Sequence, residues 1–421
     1  MRKGLLEKLK TVCIVMLVIT GVFLLANIEI TPGAETDTYL RAERDSIDYL
    51  GICGVAIYNG VDRSGGAYLG ENLRAGLDAG REVLSRAMQT ASVPEHCTDT
   101  EWRLGLAFRG VLVDLFGCVP AEVVWDAFGC SDCPTTQEIG TFVLSVAEDG
   151  KSTRLLFVDG DGQYWRCDTG VSPDAVEALA AERSAQVRLA AELGSPYTDV
   201  LEPEKLLSDE IGIHAMTVAP AYSFAPDDFS SLAALQNAFG INPYTDASYT
   251  DGSGNRVYQG AFGTLVISEE GHVRFLADEQ GPEIFSGNGK PVTVQAVEGV
   301  LALLDRAAGG ENEAYYYLDR LEAVSEDEDS LIHLKLGRAV GGIPIWRQGS
   351  AAGGSMTVRN GHLVEAEFDL SRFRSQENVF DGVLTGRQAY GAYCMQKDLS
   401  HQLLLVLEED QNTAKPAWIL Y

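Results

Sequence analysis

Cys130-Ser131-Asp132-Cys133 has the spacing at which two thiols can exchange with a disulfide, and Pro134 follows it. That chemistry needs one thiol held as a thiolate, most often at the N-terminus of a helix. Here Phe128-Gly129 lead into the pair and the setting reads as a loop. Cys130 and Cys133 therefore read as a structural disulfide or an incidental thiol pair rather than a catalytic dithiol. A four-cysteine zinc site would need a second close pair, which the sequence lacks. Asp159-Gly160-Asp161-Gly162 has the form of half a calcium loop, but Gly170 stands where such a loop needs its glutamate. Flanking alternation makes it a turn.

His96, His214, His272, His333, His362 and His401 are scattered singly, with no HExxH pair among them. Gly353-Gly354-Ser355 and Gly252-Ser253-Gly254 lack the strand–turn–helix setting of a nucleophile elbow. Carboxylates are abundant, but no spacing marks a working pair, and the acidic run over 322–329 reads as a solvated loop. The residues give no catalytic constellation, no metal site and no cofactor motif. They point away from an enzyme.

The elements that would position these residues begin at a basic start: Arg2, Lys3, Lys8 and Lys10 stand against Glu7 alone. Residues 11–28 carry no ionisable carboxylate, amine or guanidinium and reach about 27 Å as a helix, close to the hydrocarbon thickness of roughly 30 Å. The basic flank places 1–10 in the cytoplasm, 11–28 in the membrane and the rest outside it, by a tether over 29–45. A cleaved signal peptide fits less well, because the apolar run is long and Leu24 or Pro32 occupies the −3 position of each candidate site. Thr11, Thr20 and Gly21 offer small or hydrogen-bonding surface for packing on another membrane helix. The expected location is the cell membrane, single-pass, with the bulk of the chain extracellular.

Beyond residue 28 lie 28 of the 32 basic and 60 of the 61 acidic side chains. That charge opposes binding to nucleic acid or to an anionic lipid surface. Seven of the eight cysteines lie outside the apolar run, so at least one has no partner within the chain.

The expected fold class is α+β: an N-terminal transmembrane helix followed by a multi-domain ectodomain of antiparallel sheets packed by helices. An α+β domain spans 46–194, with an amphipathic helix over 67–91, a strand from 104 to 116, a meander over 141–147, 153–158 and 163–167, and a helix from 172 to 193. A proline-rich connector covers 195–228. Two modules, 229–290 and 291–421, then repeat one order of helix, strands and hairpin, which suggests a duplication. The first hairpin turns at Glu269-Glu270-Gly271; the second turns at Asn360-Gly361, where both residues need positive φ.

Residues 232–276, with the string LAALQNAFGINPYTDASYTDGSGNRVYQGAFGTLVISEEGHVRF, resemble the YycH family. Residues 315–368 resemble the C-terminal module of the YycH and YycI families, through YYYLDRLEAV, the segment Gly341-Gly342-Ile343-Pro344-Ile345 and the string MTVRNGHLVEAEF. The resemblance covers 230–370 well and 100–220 loosely. It implies a single-pass, non-enzymatic regulator that contacts a sensor histidine kinase of a two-component system, and a companion regulator of the same family, through membrane helix and ectodomain. A membrane-tethered cell-wall hydrolase, or a passive module binding a wall polymer or peptide, are the competing functions.

Overall fold

A computed structural model of the chain describes residues 45–59, 65–68, 70–181, 187–189, 204–208, 214–224, 229–287, 289–309, 312–326, 329–347, 350–376, 383–394, 403–410 and 412–420. The anchor and tether expected over 1–44, with Thr11, Thr20 and Gly21, lie outside the described residues. Among those described, no helix is long and apolar enough to cross a membrane. Asp45–Tyr421 forms one compact unit.

Its N-terminal half is a seven-stranded antiparallel sheet. The elements are β1 (Ile52–Asn59), β2 (Gly65–Tyr68), α1 (Leu73–Gln89), β3 (Glu95–His96), α2 (Asp99–Ala107), β4 (Arg109–Pro120), α3 (Ala121–Ala127), β5 (Glu138–Val146), β6 (Thr153–Val158), β7 (Tyr164–Thr169) and α4 (Pro173–Ala181). The strand order is β2-β1-β4-β5-β6-β7-β3. Alternate residues face opposite sides of a strand. Val55, Ile57, Val111, Val113, Phe142 and Leu144 join Leu77, Leu84 and Met88 of α1 in one core. On the other face Tyr58, Leu112, Val143 and Leu156 pack with Trp102 and Leu106 of α2. Burial on both faces explains the continuous apolar run of β4.

Several expectations need correction here. Residues 65–68 are a strand, and the helix expected from 67 begins at Leu73. Residues 104–107 are helical, and the strand begins at Arg109. A capping box decides this: Glu101 N donates to Thr98 Oγ1 (3.2 Å) and Thr98 N donates to Glu101 Oε2 (2.9 Å), satisfying the free amides of the first turn. The helix expected to reach 193 gives way to strand β8 (Val187–Leu189), which pairs with β9 (Leu206–Ser208).

The remainder builds a fourteen-stranded sheet. After β10 (Met216–Pro220) come α5 (Phe229–Ala238), β11 (Ala247–Thr250), β12 (Arg256–Gln259), β13 (Gly263–Ile267) and β14 (His272–Ala277). Then follow α6 (Val292–Ala308), β15 (Tyr315–Glu326), β16 (Asp329–Val340), β17 (Ile343–Arg347), β18 (Ser350–Ala351), β19 (Gly353–Arg359) and β20 (His362–Asp369). The chain closes with β21 (Ser371–Ser375), α7 (Gly386–Cys394), β22 (Leu403–Asp410) and β23 (Thr413–Leu420). The acidic run expected as a loop belongs largely to the ends of β15 and β16, which pair down to Glu326↔Asp329.

Eight of these strands lie in the order β11-β12-β13-β14-β20-β19-β16-β15. Each half is a helix followed by a four-strand meander, and the halves meet through their last strands, with Phe275 opposite Ala366. The repeated order seen in the sequence is thus one sheet with internal pseudo-twofold symmetry. Phe239, just past α5, lies 5.1 Å from the ring of Phe275 and 5.9 Å from that of Phe368, ring centre to ring centre. Leu301 and Leu304 of α6 belong to the same core. The other face turns rows of polar residues to solvent; one runs Arg274, Glu367, Ser355 and Lys335 in cross-strand register. β17 pairs in parallel with β22, the one parallel pairing among the named strands, and extends the sheet through β23, β10 and β21.

The two hairpin turns show why glycine stands where it does. Asn360 and Gly361 have φ of 49° and 82°, and Arg359 faces His362 across them. The Asn360 side chain accepts from Ser330 N (2.9 Å), tying the turn to β16. At Gly271, φ is 97° and a Cβ would lie 3.0 Å from the Leu370 carbonyl.

Candidate interaction surface

The residues that suggested chemistry are each engaged in structure. Cys130 and Cys133 lie in the loop after α3, at the helix's C-terminal end, where the backbone dipole disfavours a thiolate. Both are free thiols, as are Cys53, Cys97, Cys118 and Cys167. Cys130 Sγ faces the Ser85 and Phe128 carbonyls, and Cys133 Sγ donates to Thr135 O (3.2 Å). Burial pushes every one of these thiols up, Cys97 to about 11 and Cys167 to about 12. None is a ready nucleophile. Cys133 also lines a shallow groove of about 340 Å³ with Pro94, Pro134 and Trp165.

Asp159 closes its own turn. Its Oδ1 accepts from Asp161 N (2.9 Å) and Gln163 N (2.8 Å), while Oδ2 accepts from Trp165 Nε1 (2.7 Å). Among the described residues no cluster of histidine, cysteine and carboxylate could hold a metal ion.

His272 and His362, placed at matching hairpin positions in the sequence, have different neighbours. His362 contacts Gln280 Nε2 (2.7 Å) and the Gly281 carbonyl (3.0 Å), fastening the second hairpin to the chain before α6. His272 lies 3.3 Å from both Asp369 and Glu367, and the hydrogen bond to Asp369 raises its pKa. Asp369 also meets Arg347 Nη1 at 3.2 Å, and Arg347 pairs with buried Glu409 of β22. Next to them Arg338, 1% exposed, lies between the rings of Tyr316 and Phe373 and donates to the Ser371 carbonyl (2.6 Å). These charges bolt the symmetric sheet to the C-terminal strands; they are a structural joint.

Several large apolar side chains stay exposed, and four lie on the first meander: Tyr244 and Tyr249 at its β11 edge, Phe262 and Leu276 beside the β13–β14 pairing. Tyr244 is 94% exposed, Tyr249 54%, Leu276 50% and Phe262 40%. Tyr244 sits on a turn held by two Asx contacts, its own N donating to Asn242 Oδ1 (3.0 Å) and Asn242 N donating to Asp246 Oδ2 (2.8 Å). Phe262 lies over Gly240, where a Cβ would come within 2.5 Å of its ring. All four residues of β11 are exposed. Sequence reasoning missed this surface, because an aromatic residue beside a strand is ordinarily assigned to the core. Only the chain order of the meander, which leaves β11 outermost, carried a signal.

Comparison with protein-family models and with curated proteins finds no match to the sequence. Among solved structures, the crystal structure of YycH from Bacillus subtilis is similar with a TM-score of 0.53 at 10% identity, covering 90% of this chain and 95% of that one. The likeness extends well past residues 230–370, where the sequence motifs lie. Mixed helices and antiparallel sheets, in an arrangement shared over nearly all of both chains, give this protein a YycH-like fold.

Proposed function

We propose that this chain is a membrane-anchored, extracytoplasmic regulator of a two-component sensor histidine kinase that acts by protein contact rather than catalysis. The YycH-like fold over nine-tenths of the chain carries the reading. The sequence motifs at 232–276 and 315–368 support it independently of the fold. The basic start and the apolar run over 11–28 supply the anchor, with the N-terminus in the cytoplasm. Anchoring confines chain and kinase to one membrane, so a contact weak in solution becomes effective through high local concentration. A companion regulator of the same family is the second expected partner.

The test is affinity capture of the tagged full chain from solubilised membranes, together with the output of the kinase pathway in cells lacking the chain. A co-purifying histidine kinase and an altered output are expected. Membranes that yield no kinase, with an unchanged output, would overturn the proposal.

A further inference from the structure

The pseudo-twofold sheet gives β11 and β15 equivalent places at its two outer edges, yet the chain treats them differently. Along 315–319 the edge of β15 is covered by the N-terminal sheet. Leu50 bridges to Leu318, and the Phe116 ring lies 4.9 Å from that of Tyr317. Gly117 lies so close to Asp319 that a Cβ would be 2.0 Å from its carbonyl oxygen. Among the described residues β11 has no such cover and pairs with β12 alone.

Ladder geometry decides which atoms of β11 are free. Asp251 N donates to Asn255 O (2.9 Å), so the alternate positions 249 and 247 face β12. Ser248 and Thr250 then direct their N–H and C=O groups outward. Edge strands are commonly guarded by lysine, proline or an inward charge, and Ala247–Thr250 contains none of these. An unpaired ladder flanked by Tyr249 and Tyr244 suits strand addition, in which backbone bonds hold a guest and rim side chains select it.

Charge selects the guest. Asp246 and Asp251 bracket β11, residues 242–255 carry no lysine or arginine, and Arg256 of β12 lies over the Phe224 ring at 5.1 Å. A second copy would bring the same acidic edge on a chain of net charge −29. An extended segment with cationic side chains meets the opposite sign.

We infer that β11 is a recognition edge that takes one extended, lysine- or arginine-bearing segment of a partner protein as an added strand, hydrogen-bonded to Ser248 and Thr250. The inference deepens the proposed function and rests on it for the identity of the partner.

Ser248→Pro tests it, because proline deletes the outward N–H and leaves the β12 ladder intact. The probe is a fluorescent nonapeptide of alternating lysine with threonine and valine, titrated onto the full chain in detergent. Saturable binding is expected, weakened about tenfold or more by Ser248→Pro and by glutamate in place of the peptide's lysines, and unchanged by Ser248→Ala. An unaltered thermal midpoint for Ser248→Pro, whose edge N–H has no hydrogen bond among the described residues, keeps the result about binding. No binding, equal binding by Ser248→Pro, or equal binding of the glutamate peptide would overturn the inference.

A cellular arm separates it from the proposed function. Cells lacking the chain are complemented with wild type or Ser248→Pro, and the pathway output is read. Failure of Ser248→Pro to complement supports the edge. Full complementation overturns the edge and leaves the regulatory reading standing. If cells lacking the chain show no change, the regulatory reading falls and the peptide titration alone decides the edge.

Discussion

Gly361→Val probes the turn that fixes the register of the second meander. Gly361 has φ of 82°, and a Cβ built there would lie 2.5 Å from the Phe285 carbonyl oxygen. A β-branched residue in left-handed backbone costs about 1–2 kcal/mol. Pushing a backbone carbonyl aside adds overpacking of about 1–3 kcal/mol. The Gly361 carbonyl also accepts from Ile284 N (2.8 Å) and Phe285 N (3.3 Å), so relaxing the clash strains those bonds. The expected loss is about 3 kcal/mol. With a urea slope of roughly 3 kcal/mol/M for a unit of this size, the unfolding midpoint of Asp45–Tyr421 should fall by about 1 M. Gly252→Val is the control: Gly252 also lies in a hairpin turn, but nothing stands within 4 Å of its would-be Cβ, so its cost should stay within about 0.5 kcal/mol. Equal midpoints for Gly361→Val and wild type would refute both the turn geometry and the packing against Phe285.

Thr98→Ala removes the capping box of α2 and should cost about 1 kcal/mol in the same urea experiment, whereas Thr98→Ser should recover most of it. Replacing Cys130 and Cys133 together by serine should leave pathway output intact, because burial holds both thiols protonated and serine can donate to the same carbonyls; lost output in a variant of unchanged stability would assign them a working role. His272 is raised above its ordinary 6.5 by Asp369, so its stabilisation is full below that value and fades as pH rises through the higher folded one. For Asp369, burial opposes ionisation, but the His272 hydrogen bond and the Arg347 charge outweigh it, so its contribution holds above the ordinary carboxylate range and is lost on acidification. Stability measured from about pH 5.5 to 8.5 should therefore decline less in His272→Gln, the difference being about 0.5 kcal/mol after solvent screening of a half-exposed pair. Parallel pH curves for the two proteins would show that the contact is not formed.

Local chemistry was legible in the sequence wherever it is self-sufficient. Asn360-Gly361 specifies a two-residue hairpin because few other pairs tolerate two positive φ values, and the structure places them at 49° and 82°. The order of helix, strands and hairpin seen twice became the two halves of one sheet. Thr98-x-x-Glu101 was readable too, and its capping box, rather than the alternation after Leu104, set the local structure. Several features needed the whole chain. Cys130 and Cys133 stand three positions apart in sequence, but the loop after α3 and the core around it set their burial. Strand β17 could have stayed with its own module, but its parallel pairing with β22 joins residues about sixty positions apart, which no local pattern encodes. The fates of the two sheet edges were likewise decided at a distance. Gly51 and Gly117 have no visible purpose until Tyr317 and Asp319 come to lie against them, covering β15 while its equivalent β11 stays open. Turn and cap conformations are set by residues within about four positions of one another, so sequence determines them; edge coverage depends on which distant surfaces meet, and only the tertiary structure decides that.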